Sequence, residues 1–340
     1  MKPDSTSGAR ILSRKIRVNI LLIMGLFLSG VHASQSLAQE VEILMSPTMV
    51  SSIPENERVV VDTRPSWEFL LGHIPGAVNL DSWQEFTHEI NGVKGLLKDD
   101  KAFISQKLGP LGFSSDKTII VYGEPDDPWR TDGRFFWMFE RYGFEKVALL
   151  DGGFPSWKRA EKKIEGGHQN TIAQSKPTLN RLNLNNQVIA DKLLINNSFS
   201  SNSFTLIDNR TRKEFDGATP YGSPRGGHIP NAIHIHWPEF FQADGNLKPL
   251  PALNLLLKQN GIRPDREVIV YCTGGVRSAM AYFVFRYLGY KVRNYDGSWW
   301  DWSRSSFPVE VWQKSSNPNQ RTVTGDEKHA LRGGVDGRVY

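Results

Sequence analysis

Residues 59–64, VVVDTR, recur as 205–210, TLIDNR, and a Glu-Phe pair follows each at the same interval, Glu68-Phe69 and Glu214-Phe215. GHIPGAVNL at 72–80 returns as GHIPNAIHI at 227–235. Further on, GFSSDKTIIVY (112–122) matches GIRPDREVIVY (261–271), and LDGG (150–153) matches YDGS (295–298). Four matched blocks in one order mean a duplicated domain, so whatever one copy folds into, the other must fold into as well. The second copy carries nine extra residues, ATPYGSPRG at 218–226.

Each copy reads as α/β. Short β-branched runs (59–62, 118–122, 204–207, 267–271) alternate with helical stretches (134–142, 278–288). Continuous apolar strands imply a mostly parallel sheet with helices on both faces. Asp62 and Asp208 close their strands, where a carboxylate can tie down loop amides. The copies span 41–165 and 183–312, joined by a polar Gly/Pro-containing linker at 166–182 that is expected to cross the surface, and followed by a polar tail, 313–340, expected to be mobile. At 39% hydrophobic and 23% charged, the 340-residue chain has the composition of a globular protein, which excludes a disordered or collagenous one.

The formal net charge is +5, but Lys2, Arg10, Arg14, Lys15 and Arg17 against Asp4 alone place most of it in the first 33 residues. The remainder is near neutral, so no nucleic-acid partner is implied. VNILLIMGLFLSGVHA (18–33) follows as a short apolar run with Val31 and Ala33 spaced like a cleavage site. This reads as a signal peptide over 1–33, with a second acceptable site after Ala38. The expectation is export, to a periplasm, with no membrane attachment after cleavage; an uncleaved anchor is the alternative.

Cys272 is the sole cysteine, so no intramolecular disulfide is possible. It ends the strand run VIVY, and Thr273, Gly274, Gly275, Val276 and Arg277 lead into a helix beginning near Ser278. A glycine-rich turn between strand and helix points successive N–H groups inward and adds the helix's partial positive charge, which lowers a thiol's pKa. The bland reading is a small buried hydrophobe. Two glycines and an arginine argue against it, because a packed core position needs neither inward amides nor a cation. In the first copy Gly123 stands at the cysteine's position and the loop EPDDPWRTDG is longer and acidic. That copy is expected to be a scaffold that packs on the second and walls one side of its site.

These residues resemble the rhodanese-type sulfurtransferases, in the tandem form with an inactive N-terminal and a catalytic C-terminal domain. FLLGHIPGAVNL (69–80) is similar to the family's early signature and VRNYDGSWWDW (292–302) to its late one, with Asp301 where the family usually has glutamate. The resemblance implies double displacement: Cys272 takes a sulfane sulfur from a donor and passes it from a persulfide to cyanide or a thiol, with no metal or organic cofactor. The partners implied are a small-molecule donor and acceptor, or a protein thiol. Arg210 corresponds to a family arginine that binds the donor's anionic end, though a salt bridge to Asp208 or Glu214 is its structural alternative. Arg225, in the extra nine residues, is a further candidate for the same anion. Thiosulfate-specific members usually have a cation where Gly274 stands and a threonine where Arg277 stands. Mercaptopyruvate-using members have Gly then Ser or Thr, an order that Thr273-Gly274 reverses. Arg277 as a cation at the rim favours thiosulfate, with 3-mercaptopyruvate the alternative.

A cysteine phosphatase or arsenate reductase would use Cys-x5-Arg rather than the Cys-x4-Arg found here, and a carrier would take up sulfur without turnover. Asp126 with Asp127, and His234 with His236, could suggest a metal, but a solvated acidic loop and surface or interface histidines are the simpler readings. His73 and His228 are expected to hydrogen-bond within their GHIP turns, and Trp299, Trp300 and Trp302 to pack in the core and domain interface.

Overall fold

The computed structural model describes residues 42–168, 179, 182–199 and 203–311, together with the strand Thr322–Thr324. The signal-peptide expectation and most of the linker and tail lie outside the described residues. Each repeat is built on a five-stranded parallel sheet. In the first the order is Leu44–Met45, Val147–Leu150, Thr118–Tyr122, Arg58–Asp62, Val78–Asn79. The second repeats it with Ile189–Ala190, Val292–Tyr295, Glu267–Tyr271, Phe204–Asp208 and Ile233–His234. The α/β class and the duplication are thus both present in the fold.

Strand alternation explains how two such sheets share one chain. Val59 and Val61 point into a core common to both repeats, while Val60 points into the first repeat's outer core with Ile120, Tyr122 and Phe154. In the second repeat Val268 and Val270 join the common core and Ile269 the outer one, with Tyr271, Trp299 and Trp302. Between the sheets lie two apolar helices, Thr131–Arg141 and Arg277–Tyr287. They approach so closely at Gly133 that a β-carbon there would lie 2.6 Å from Met280 Cα. Both repeats belong to one compact unit.

Two expectations about the connecting segments change. Leu179 and Leu182, from the linker region, are buried in the common core, because two leucines beside an apolar seam gain more from burial than from a surface path. In the tail, Thr322–Thr324 pairs antiparallel with Val309–Val311, so that stretch is ordered as a strand. No helix among the described residues is long and apolar enough to cross a membrane.

Candidate active site

Cys272 follows the last residue of the strand Glu267–Tyr271, and the chain turns directly into the helix Arg277–Tyr287. The turn is stitched down from below. The Cys272 N–H donates to Ser298 Oγ at 3.2 Å, and the N–H groups of Trp299 and Trp300 donate to the carbonyls of Cys272 (3.0 Å) and Thr273 (2.9 Å). Gly275 has φ +76°, a left-handed conformation that its lack of a β-carbon permits.

Cys272 is 1% exposed. Burial pushes the thiol up, but the Arg277 charge, the Ser278 hydroxyl and the main-chain N–H groups of Ser278 and Gly274 outweigh it and hold the thiol below its ordinary range. A thiolate at this point therefore sits in a ring of donors rather than in an apolar void.

Arg277 is not the rim cation that sequence reasoning expects. It is buried, and its fork closes on Glu214, with Nη1 to Oε2 at 2.9 Å and Nη2 to Oε1 at 2.8 Å. Thr273 Oγ1 donates to the same carboxylate at 2.7 Å. Burial disfavours the Glu214 carboxylate, yet Arg277 and the Thr273 and Thr211 hydroxyls hold it down to about 2. A buried guanidinium needs such a partner, and the loop arginine found one across the turn.

Arg210 and Arg225 are likewise corrected. Arg210 Nε and Nη2 bind the Asp208 carboxylate (2.6 Å for Nη2), and Nη2 also reaches the Gly227 carbonyl at 2.7 Å, so the salt bridge replaces the anion contact. Arg64 makes the same bonds to Asp62 and Gly72 in the first repeat, where Gly123 replaces the cysteine, which marks the arrangement as structural. Arg225 donates to the carbonyls of Trp302, Ser303, Ser305 and Phe307, capping the end of the helix Ser298–Trp302 instead of reaching the loop.

Three aromatic rings flank the loop. The Arg277 guanidinium lies 5.5 Å from the Trp129 ring and 5.6 Å from the Tyr221 ring. Trp300 Nε1 donates to the Tyr221 carbonyl at 3.2 Å, and its ring lies over Gly274, where a β-carbon would sit 2.4 Å from Cζ3. Trp299 and Trp302 are buried as expected, but in the second repeat's outer core, and Trp300 is half-buried beside the loop. The structure also explains Gly274: Trp300 occupies the space a cationic side chain would need.

The first repeat's matching turn is closed on itself. Asp132 accepts from Arg130 Nε (3.0 Å) and from the Gly133 N–H (2.9 Å), and a β-carbon at Gly123 would meet Thr63 Oγ1 at 2.7 Å. Asp127 caps the turn through the N–H groups of Trp129 and Thr131. His73 and His228 bond the carbonyls of Phe69 and Phe215 through Nδ1, and His234 Nε2 bonds the Arg210 carbonyl. Among the described residues no group of three or more acidic, His or Cys side chains is placed to hold a metal.

Two segments, 46–160 and 191–305, match the rhodanese-like domain family. The chain belongs to the rhodanese-like family. Its two matched halves make this sulfurtransferase a tandem member. It is 31% identical over 270 residues to a thiosulfate sulfurtransferase of Corynebacterium glutamicum, covering 76% of this chain and 87% of the relative. It is 30% identical to the 3-mercaptopyruvate sulfurtransferase of Escherichia coli K12, covering 73% and 87%. The crystal structure of SseA from Escherichia coli, described as a 3-mercaptopyruvate sulfotransferase with the rhodanese fold, superposes with TM-score 0.63 at 23% identity, covering 76% of this chain and 99% of that one.

Sequence reasoning on this tandem sulfurtransferase missed Glu214 as the partner of Arg277. The local signal was present, since Thr211-x-x-Glu214 is a capping box and the structure forms it, but its second task depends on a contact 63 positions away. It also missed the hairpin Thr87–Ile90/Val93–Leu97 that borders the loop, although Asn91-Gly92 is the dipeptide such a turn prefers.

Proposed function

We propose that the chain moves a sulfane sulfur from thiosulfate through a Cys272 persulfide to cyanide or a thiol. The observation that carries this is Cys272 standing where the strand Glu267–Tyr271 ends and a glycine turn runs directly into the buried helix Arg277–Tyr287, a place that holds its thiol below the ordinary range. In the first step the thiolate attacks the outer sulfur of thiosulfate, a new S–S bond forms, the donor's S–S bond breaks and sulfite leaves with its electron pair. In the second, cyanide attacks the outer sulfur of the persulfide, and thiocyanate departs as the Cys272 thiolate returns. Each step leaves negative charge on sulfur at the loop, where fixed N–H donors stabilise it without reorganising.

Arg277 is neutralised by Glu214, so the preference for thiosulfate draws its support from the Corynebacterium relative and not from a free charge at the rim. A cysteine only 1% exposed suits a small acceptor better than delivery to a protein thiol. The same pairing disfavours phosphate chemistry, which would need the loop arginine free to hold an oxyanion. Mass spectrometry after incubation with thiosulfate or 3-mercaptopyruvate tests the reading. One added sulfur on the Cys272 peptide from thiosulfate supports it, loading only from 3-mercaptopyruvate transfers it to that donor, and loading from neither rejects it. Turnover to thiocyanate, abolished in Cys272→Ala, separates enzyme from carrier.

Export is a further proposal, resting on the basic, apolar and small-residue order of residues 1–33. N-terminal sequencing of the protein from its native cell should find Ser34 or Gln39 first; an intact Met1 rejects it.

A further inference from the structure

The first repeat reaches into the catalytic turn through one side chain. Arg134 lies on the helix Thr131–Arg141 and is 0% exposed. Its Nη1 donates to the Gly275 carbonyl at 3.2 Å and to Asp296 Oδ1 at 2.7 Å, and its Nη2 donates to the Gly95 carbonyl at 2.8 Å. Asn294 Nδ2 donates to the same Gly275 carbonyl at 3.0 Å. Two donors outside the turn thus hold that carbonyl away from Cys272.

The consequence follows from peptide geometry. In a planar trans peptide the N–H points opposite to the carbonyl. With the Gly275 carbonyl held outward, the Val276 N–H is turned toward the loop's centre, where the outer sulfur of a persulfide would lie. Gly275 cannot easily settle elsewhere: a β-carbon on it would meet the Asp296 carbonyl at 2.5 Å and Arg134 Nη1 at 3.1 Å, so the space beside it is filled by the clamp itself.

We propose that Arg134, from the repeat without a cysteine, is a positioning residue that fixes the Gly275–Val276 peptide and so keeps the loop's N–H groups aimed at Cys272. The non-catalytic repeat is then part of the sulfur site as well as its wall. The effect is geometric more than Coulombic, because the charged groups around the loop are paired: Arg134 with Asp296, Arg277 with Glu214, and Arg210 with Asp208. His236 and Tyr221 are the other titratable neighbours of Arg277.

The proposal rests on Cys272 being the reacting thiol, and its test separates the two. In the full chain, R134M/D296N removes the fork and its counter-charge together, leaving no buried charge unpaired. The readouts are the pH profile of Cys272 alkylation by iodoacetamide, which needs no sulfur transfer, and turnover with thiosulfate and cyanide. The expected result is an alkylation profile moved to higher pH, with the rate at any pH on the acid side of the midpoint falling about tenfold for every pH unit by which the midpoint rises. Turnover should fall through kcat with little change in KM. Y282F is the control, since it removes a different buried contact between the repeats, Tyr282 to Glu140, away from the loop. A wild-type profile in R134M/D296N, or an equal displacement in Y282F, overturns the proposal. R134K, which keeps the charge but not the fork, guards against a misfolded double variant: a profile moved to higher pH supports the clamp, and a wild-type profile counts against it. Wild-type protein that alkylates readily but makes no thiocyanate and gains no sulfur on Cys272 from either thiosulfate or 3-mercaptopyruvate would instead reject the sulfur-transfer reading, while the alkylation profiles still decide the role of Arg134.

Discussion

Asp296 Oδ2 accepts the main-chain N–H of Leu97 at 2.8 Å, a bond from the second repeat into the first. The duplication supplies its mirror: Asp151, in the matching LDGG block, accepts the N–H of Leu247 in the second repeat at 2.9 Å. The two bonds have diverged in use, because only Asp296 also holds a guanidinium at the catalytic turn. Asp151→Ala should therefore cost stability, about 1–3 kcal/mol for a lost charge-assisted bond, and leave the Cys272 alkylation profile where it was. Denaturant unfolding alongside alkylation checks this; a displaced profile would mean the two aspartates still act alike.

The ion pair at Glu214 sets the acid limb of stability. Its carboxyl ordinarily titrates near 4.5 and is held to about 2 in the fold. A depressed carboxylate contributes stability that is fully present above the unfolded value and lost as pH falls from about 4.5 toward 2. Linkage puts this at roughly 3 kcal/mol. Glu214→Gln should flatten that part of the stability–pH curve and cost about 3–5 kcal/mol at neutral pH, because Arg277 is left buried and unpaired. It should also move Cys272 alkylation to lower pH, since the Arg277 charge is no longer cancelled. Urea melts from pH 2 to 7 provide the comparison, and an unchanged acid limb would show that Glu214 does not govern it.

The repeats, both sheets and the place of Cys272 at the end of a strand were legible because each depends on local pattern: alternation along VVVD and TLID, and glycines where a strand turns into a helix. What each arginine binds was not. Arg210, Arg225 and Arg277 read as candidates for an anion site, yet all three, and Arg134 with them, are engaged by carboxylates or carbonyls inside the protein. A buried guanidinium takes whichever acceptor the fold brings near, and three of these acceptor sets come from distant sequence. The exception is Arg210, whose partner two positions away was open to sequence reasoning.

The Ser278 hydroxyl donates to Asn294 Oδ1 at 2.6 Å, and it is also one of the groups that favour the ionised Cys272 thiol. One O–H can serve only one acceptor at a time, so ionisation of the thiol should draw the proton toward sulfur. Ser278→Ala removes that choice. Cys272 alkylation should move to higher pH and sulfur loading at neutral pH should slow about tenfold, the scale of one hydrogen bond to a charged group. Ser278→Thr should recover much of the rate. If the alanine variant loads at the wild-type rate, the amides suffice and the hydroxyl serves Asn294 alone.

The two loop glycines are required for different reasons, which makes them separable. Gly275 combines φ +76° with a main-chain oxygen 2.5 Å from its absent β-carbon, so Gly275→Ala is strained and also meets an atom that cannot step aside. The three atoms nearest a β-carbon on Gly274 all belong to the Trp300 ring, a side chain that can swing away. Gly289 is the reference, with φ +80° but open space around it, so Gly289→Ala isolates backbone strain, about 1–2 kcal/mol. Gly275→Ala should cost more than Gly289→Ala and abolish persulfide formation. Gly274→Ala should impair it partially, and adding Trp300→Ala should restore loading, because the closest contacts are all with that ring. Thermal melts and sulfur-loading rates on the four variants decide it. A Gly274→Ala defect that persists without Trp300 would show that residue 274 is needed for its backbone and not for the space above it.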